Sequence, residues 1–251
     1  MKVILITQAR VGSTRLPNKV LKKIKGKTLL EIHIERIKKS KLIDKIIIAT
    51  TTETNDNIIC DIAKKNGVFY FKGSENDVLD RFYQAVKNYK PNFIVRLTSD
   101  CPLIDPELID TVIRNAINLN LDYYSNTLVE CFPDGQDIEV IKFESLKKAW
   151  KNAKLKSERE HVTPYIRKNS SFCGGKLFKS ETYKFNKNYK DVRLTVDEEN
   201  DLKVINLLIN KIGIDKSWLD YTKLYLKDNE INSLNKNIIR NEGYLKSLKK
   251  D

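Results

Sequence analysis

Three cationic side chains, a glycine and two hydroxyl groups lie close together near the start of the chain. They belong to residues 8–19, which read Gln-Ala-Arg-Val-Gly-Ser-Thr-Arg-Leu-Pro-Asn-Lys. The arginines can pair with phosphate oxygens through two parallel hydrogen bonds, the lysine supplies a point charge, and backbone N–H groups near Gly12 and Ser13 can form an anion-binding nest. The segment therefore predicts a phosphate-binding loop suited to a triphosphate. A solvated basic turn is the alternative.

The loop lacks two widespread nucleotide-binding motifs. No Gly-Lys-Ser or Gly-Lys-Thr opens a helix, which excludes a P-loop NTPase, and the Gly-x-Gly-x-x-Gly of dinucleotide-binding Rossmann folds is absent. A nucleotide would therefore be held by the loop's own side chains and backbone. The candidate nucleotide-binding residues of the loop are Gln8, Ala9, Arg10, Gly12, Ser13, Arg15 and Lys19.

Strand-like and helix-like patterns alternate through the first half of the chain and must position this loop. Such alternation implies right-handed crossovers and a mainly parallel sheet. Ligands of these sheets bind beyond the carboxyl ends of the strands, and the loop directly follows the first strand. The predicted strands cover residues 3–7, 46–50, 69–71 and 93–97, and the predicted helices cover 29–38, 55–66, 77–89 and a segment from Pro106.

The second half of the chain is less regular. No linker rich in Gly, Ser or Pro divides it, so we predict one α/β domain over 1–215 and a C-terminal helical extension over 216–251. The predicted strands here are 138–141, 171–178 and 193–196, and the predicted helices are 143–153, 159–168 and 200–211.

Two aspartates follow predicted strands. Asp100 lies just past the fourth strand, and Asp197 follows the strand at 193–196. Mg²⁺ takes one or two carboxylates together with phosphate oxygens and water, so the two aspartates could share a metal site if their strands are near neighbours. The alternatives are that Asp100 initiates the turn before Pro102 and that Asp197 caps the following helix.

Composition bounds the class of protein. The 251 residues are 41% hydrophobic, which suits a globular core. The N-terminal apolar run is too short for a signal peptide, no later run could cross a bilayer, and the four cysteines form no Cys-x-x-Cys pair. We therefore expect a cytoplasmic protein with no membrane partner. The net charge of +13 comes mostly from dispersed lysines, which favours a solvated surface over a nucleic-acid-binding groove.

The 8–19 loop resembles the Ala-Arg-x-x-Ser-x-Arg-Leu-Pro-x-Lys signature of the cytidylyltransferases that activate sugar acids, such as CMP-KDO and CMP-sialate synthetases. Within that family the chain is most similar to the group around spore coat polysaccharide biosynthesis protein F. Pyrophosphorylases that make UDP-, dTDP- or GDP-sugars carry a glycine-rich run where this chain has Arg10. Further runs that resemble the family lie at 96–103, 134–140, 158–165, 193–197 and 235–248.

The resemblance implies a three-layer αβα fold of the nucleotide-diphospho-sugar transferase (GT-A-like) type. It also implies a Mg²⁺-dependent transfer of CMP from CTP to a small acidic sugar-like acceptor, with release of pyrophosphate, in surface polysaccharide or glycan biosynthesis. Arg10, Arg15 and Lys19 would then bind the β- and γ-phosphates, while Asp100 and Asp197 would hold Mg²⁺. Relatives are often dimers, but the sequence leaves the oligomeric state open, with a homodimer as one candidate.

The resemblance also suggests the remaining contacts of both substrates. For Ser74 and Arg81 the alternative is a capped amphipathic helix, and for His161 it is a hydrogen bond to backbone. The further nucleotide-binding candidates are Ser74, Arg81 and Thr98, and the acceptor-binding candidates are Asp134, Gln136, Glu139, Arg159 and His161.

Other functions remain open on the sequence alone. The enzyme could use another NTP or a phosphate or phosphonate acceptor. A GT-A glycosyltransferase has a similar fold, but no Asp-x-Asp metal motif lies near Asp100, and the loop arginines would have no purpose there. A nucleic-acid-binding module would bind DNA or RNA in a salt-sensitive way.

Overall fold

A seven-stranded sheet lies at the centre of the computed structural model, which describes residues 1–249 and 251. Two further short strands in the described part of the chain form a separate hairpin. In chain order the strands are β1 (Val3–Gln8), β2 (Lys23–Ile24), β3 (Lys27–Thr28), β4 (Lys45–Thr51), β5 (Phe69–Gly73), β6 (Phe93–Thr98), β7 (Tyr123–Ser125), β8 (Glu139–Lys142) and β9 (Ser180–Thr182).

The sheet is mainly parallel, as the alternation of strands and helices predicts. Its order is β5-β4-β1-β6-β8-β7-β9, and β5, β4, β1 and β6 pair in parallel. β8 runs antiparallel to both β6 and β7, while β9 is parallel to β7. The order reverses direction around β1, so the crevice beyond the ends of β1 and β6 is where an open sheet of this type binds ligands.

Helices cover both faces of the sheet. Leu5 of β1 belongs to the same buried cluster as Ile109, whereas the next residue, Ile6, belongs to the cluster of Phe82 on the opposite face. The helices are α1 (Leu29–Ile37), α2 (Asn57–Lys65), α3 (Val78–Val86), α4 (Pro106–Asn118), α5 (Phe143–Asn152), α6 (Lys156–His161), α7 (Pro164–Lys168), α8 (Glu199–Ile212), α9 (Trp218–Lys227), α10 (Asn229–Asn232) and α11 (Glu242–Leu248).

Side-chain caps fix where the central helices begin. Asp105 accepts hydrogen bonds from the backbone N–H groups of Glu107 and Leu108 at the start of α4, with Pro106 in the first turn. Thr28 and Glu31 form a reciprocal capping box at the start of α1. These caps hold the ends of the helices against the loops that follow the strands.

The C-terminal helices pack onto the domain. Tyr221 and Tyr225 of α9 are buried in the same cluster as Val204 and Leu208 of α8. The backbone N–H of Trp218 donates to Oδ2 of Asp105 at 2.7 Å. The division at residue 215 stays a prediction. No helix among the described residues is long and apolar enough to span a bilayer.

Three predicted elements are wrong. Residues 171–178 do not form a strand: Ser171–Cys173 form a 3₁₀ turn, Gly174 follows with a positive φ of 82°, and Phe178 makes only an isolated bridge to Ser170. Residues 193–196 bond to two different loops, through Leu194 to Asp134 and through Val196 to Asp100, so they do not extend along one partner strand. The helix predicted at 159–168 is broken at Val162, beyond which Pro164 opens α7.

Gly135 lets two functional segments come into backbone contact. Its φ is +104°, and a Cβ atom added there would lie 2.7 Å from the carbonyl carbon of Leu194. We expect Gly135→Ala to destabilise the protein by more than the roughly 1–3 kcal/mol of a strained φ, because backbone must also move. Urea unfolding would measure the change. Gly12→Ala, whose added methyl meets open space, is the matched control, and equal stability of the two variants would contradict this account.

Candidate active site

Three segments meet at the carboxyl edge of the sheet. Gln8 and Thr98 are in register at the ends of β1 and β6, so the 8–19 loop and the turn carrying Asp100 leave the sheet side by side. The backbone N–H of Val196 donates to the carbonyl of Asp100 at 2.8 Å, which brings the segment before Asp197 to the same place. The loop and the two aspartates therefore face one crevice.

The 8–19 loop is fastened to the domain at both of its ends. Near its start, the backbone N–H of Val11 donates to Oδ1 of Asp56 at 2.7 Å. Near its end, Leu16 is buried among core residues, and Asn18 adopts a left-handed conformation that starts the 3₁₀ turn at Lys19–Leu21. Because Asn tolerates this conformation, the turn can direct Lys19 back into the crevice.

Lys19 bridges the two aspartates. Its Nζ lies 2.8 Å from Oδ2 of Asp100 and 2.8 Å from Oδ1 of Asp197. Nη2 of Arg15 lies 2.9 Å from the same oxygen of Asp197. Burial disfavours the charged forms, yet the opposite charges prevail, so the pKa of Lys19 is raised and the pKa of Asp100 is lowered. Lys19 and Asp100 are therefore held in their charged states.

Two adjoining chambers open at this edge. The first chamber, on the side of the 8–19 loop, has a volume of about 540 Å³, and the second chamber, on the side of β8, has about 590 Å³. Both volumes suit a small molecule. The side chains that border both chambers are Gln8, Arg15, Thr98, Asp100, His161, Asp197 and Glu242, together with the backbone of Gly243.

Most of the predicted nucleotide-binding residues lie around the first chamber. Gly12 and Ser74 do not border it; Ser74 instead accepts a hydrogen bond from Arg81 through its carbonyl at 2.7 Å. Burial, and then the charge of Arg10, lower the pKa of Arg81 to about 10. The predicted residues that border this chamber are Gln8, Ala9, Arg10, Ser13, Arg15, Lys19, Arg81 and Thr98.

The predicted acceptor-binding residues are divided by the structure. Asp134, Glu139 and His161 border the second chamber. Gln136 does not, because its amide is buried and bonds to the backbone of Leu103 and Asp105. Arg159 also points elsewhere: its Nε donates to both carboxylate oxygens of Asp77 at 3.0 Å. Both side chains therefore make structural contacts outside the second chamber.

Several residues of the second chamber are absent from the sequence-based candidates. Five of them lie within runs that resemble the family, at 96–103, 134–140, 193–197 and 235–248, so a search of those runs for charged side chains could have found them. Arg167 lies just beyond such a run. The additional charged residues of the chamber are Arg96, Glu130, Asp137, Arg167, Arg193, Arg240 and Glu242.

Arg193 contacts carboxylates of both the second chamber and the candidate metal site. Its guanidinium contacts Asp134 at 2.6 Å, Asp197 at 3.0 Å and Asp201 at 2.9 Å. Asp201 also accepts the backbone N–H of Asp197 at 2.9 Å, so Asp197 is positioned through both its side chain and its backbone. Burial, and then the charge of Asp137, raise the pKa of Asp134 to about 7.

Comparison with known proteins identifies the family. A family model described as cytidylyltransferase matches residues 4–231, nearly the whole chain. The chain belongs to the cytidylyltransferase family. The predicted family and the mainly parallel αβα fold are both confirmed.

Relatives of this cytidylyltransferase cover most of its length. An uncharacterized protein of Methanocaldococcus jannaschii is 43% identical over 248 residues, which cover 97% of this chain and 98% of that protein. Spore coat polysaccharide biosynthesis protein SpsF of Bacillus subtilis is 34% identical over 218 residues, or 84% of this chain and 88% of SpsF. A cytidylyltransferase structure from Leptospira borgpetersenii has a TM-score of 0.86 at 34% identity and covers 95% of this chain and 98% of that one.

The C-terminal segment of this cytidylyltransferase forms a wall of both chambers. Nη2 of Arg240 lies 2.6 Å from Oδ1 of Asp137 in the second chamber. Nη1 of Arg15 lies 3.3 Å from Oε2 of Glu242. Ser247 contacts Nε2 of His161 at 3.0 Å. The tail therefore contacts both the 8–19 loop and the predicted acceptor side.

The two aspartates of this cytidylyltransferase fit a metal that completes its coordination with substrate oxygens. Among the described residues, no group of three or more His, Cys, Asp or Glu side chains could hold a metal alone. Asp100 and Asp197 nevertheless converge on one cationic point, at present the ammonium of Lys19. One or two carboxylates are enough for Mg²⁺ when phosphate oxygens supply the other ligands.

Proposed function

We propose that this cytidylyltransferase transfers CMP from CTP to a small acidic sugar-like acceptor and releases pyrophosphate, in surface polysaccharide or glycan biosynthesis. The observation that carries the proposal is that Asp100 and Asp197 border both chambers, beside Arg15 and Lys19. A triphosphate in the first chamber and an acceptor in the second would meet at these carboxylates. The similarity to SpsF supports a role in polysaccharide biosynthesis.

The reaction requires positioning and charge neutralisation more than covalent catalysis. An acceptor oxygen forms a bond to the α-phosphorus of CTP as the bond to pyrophosphate breaks in line. In this proposal Arg15 and Lys19 bind the departing pyrophosphate, and the more exposed Arg10, which also borders the first chamber, assists them. Mg²⁺ held by Asp100 and Asp197 would add positive charge and lower the pKa of the acceptor hydroxyl.

The second chamber supplies the acceptor side of the proposal. Asp134, Glu139 and His161 border it, and each carries a group that can hydrogen-bond to sugar hydroxyls. Its volume of about 590 Å³ accommodates a small sugar acid together with ordered water.

A pyrophosphate-release screen tests this function directly. The four NTPs would be paired with candidate sugar acids, with and without Mg²⁺. We expect release from CTP only, and only when both Mg²⁺ and an acidic acceptor are present. Release from another NTP, or without any acceptor, would contradict the proposal.

Lys19→Met should weaken binding of CTP by about 10- to 100-fold, because a charge-assisted hydrogen bond is worth roughly 1.5–3 kcal/mol. Titration of the protein with CTP in the presence of Mg²⁺ would measure the dissociation constant. Lys203→Met on the exposed side of α8 is the matched control and should bind CTP normally. Equal affinity of the two variants would show that Lys19 serves only to pair the aspartates.

A further inference from the structure

Arg167 differs from the other arginines of the second chamber in having no direct partner among the described residues. It lies in α7, is half-buried and borders the chamber. Among the described residues, its guanidinium makes no hydrogen bond and no ion pair. The other guanidinium groups of this chamber are all paired: Arg15 with Asp197, Arg96 with Glu139, Arg193 with Asp134 and Arg240 with Asp137.

Glu139, the carboxylate that could pair with Arg167, already accepts hydrogen bonds from two other side chains. Glu139 attracts the charge of Arg167, but its Oε2 accepts from Arg96 and its Oε1 accepts from the hydroxyl of Tyr123. A guanidinium cannot release its proton to escape this situation. The guanidinium of Arg167 therefore borders the chamber with no hydrogen-bond acceptor among the described residues, which favours an anionic ligand there.

A strained turn places Arg167 on the same wall as two other polar residues. Val162 has φ 71° and ψ −53°, and the backbone N–H of Thr163 donates to the carbonyl of His161 at 2.8 Å. This is a γ-turn with positive φ, which is rare and strained, above all for a β-branched residue. The fully buried Val162 side chain holds the turn. His161, Thr163 and Arg167 all border the chamber from this one segment.

The charges of the chamber favour a ligand with one negative charge. Seven carboxylate side chains and five guanidinium groups border it, and four of the five guanidiniums are paired as described above. The single positive charge without a direct partner, that of Arg167, matches the single negative charge of a carboxylate group on the ligand. A phosphate group, with about −1.5 to −2 charges, would exceed the charge of this one cation. The carboxylates of the chamber are suited to accept hydrogen bonds from hydroxyl groups.

We propose that Arg167 binds the carboxylate of a polyhydroxylated acceptor, and so selects sugar acids over neutral sugars. This inference rests on the proposed function, since it names the residue that recognises the acidic acceptor. The planar fork of a guanidinium can bind both oxygens of one carboxylate, which fixes the orientation of the acceptor as well as its position.

The test compares acids with their neutral carboxamides. The probes are 3-deoxy-manno-octulosonate, N-acetylneuraminate and gluconate, together with their carboxamides and with glucose 6-phosphate. Binding to wild-type protein, Arg167→Gln, Arg167→Lys and the exposed control Arg114→Gln would be measured by calorimetry, with Mg²⁺ and α,β-methylene-CTP present. The affinity of each variant for the CTP analogue shows whether nucleotide binding in the first chamber is still intact.

We expect wild type and Arg114→Gln to bind at least one acid about 10- to 100-fold more tightly than its carboxamide. Arg167→Gln should lose this preference while keeping its affinity for the CTP analogue, and Arg167→Lys should restore part of it. The assignment is overturned if Arg167→Gln keeps the preference, if wild type prefers none of the acids over its carboxamide, or if only glucose 6-phosphate depends on Arg167. Acid binding through Arg167 without pyrophosphate release from CTP would leave the assignment standing and refute the proposed reaction.

Discussion

Replacing Asp100 with asparagine should lower the rate of pyrophosphate release from CTP by about 10²- to 10³-fold, the range found when one group that stabilises developing charge is removed. Asparagine keeps the size of the side chain but not its charge. Asp100 borders both chambers and lies 2.8 Å from Nζ of Lys19, so the lost charge falls at the proposed meeting point of the substrates. Steady-state pyrophosphate release at saturating CTP would measure the effect.

A titration with Mg²⁺ separates a metal-binding role of Asp100 from a role in positioning Lys19. If Asp100 holds the metal, the asparagine variant should need more Mg²⁺ to reach half of its own maximal rate. Asp61→Asn, at an exposed position on α2, is the control for loss of a surface carboxylate and should behave like wild type. Normal turnover of Asp100→Asn would refute the metal assignment.

That Asp100 lies beside the 8–19 loop could be predicted, because this depends only on which strands are neighbours in the sheet. Neighbouring parallel strands bring their following loops to one edge, and the alternating pattern predicts such strands correctly. The approach of Asp197 could not be predicted in this way. It depends on Val196 and Leu194 bonding to two separate loops, and hydrogen bonds of that kind leave no periodic pattern in the sequence.

The residues that line the acceptor side were harder to predict, because one backbone turn, at Val162, determines which side chains face the second chamber. In an unbroken helix over 159–168, residues 159, 163 and 167 would share a face, and Arg159 would be expected beside Arg167. The positive φ of Val162 separates them, so Arg159 bonds to Asp77 while Arg167 faces the second chamber. A valine in that conformation is uncommon enough that its sequence gives no indication of it.

Arg193→Met should reduce the free energy of unfolding by about 3–5 kcal/mol, the cost of breaking a buried ion pair by removing one partner. The Arg193 side chain is 5% exposed and holds three carboxylates, of which Asp201 is fully buried. Without the guanidinium, these negative charges would repel one another inside the protein. Urea unfolding would measure the loss, and Arg114→Met on the exposed side of α4 should change stability little.

A double variant tests whether the loss of stability in Arg193→Met is caused by buried carboxylates that no longer have a cation beside them. Asp201→Asn removes the most buried of the three carboxylates and keeps an oxygen that can still accept the backbone N–H of Asp197. Added to Arg193→Met, it should therefore recover part of the lost stability, whereas a simple packing defect at Arg193 would not be repaired. If the double variant is less stable than Arg193→Met alone, the guanidinium acts mainly by filling space. Asp197 would then owe its position to its backbone bonds rather than to the charge of Arg193.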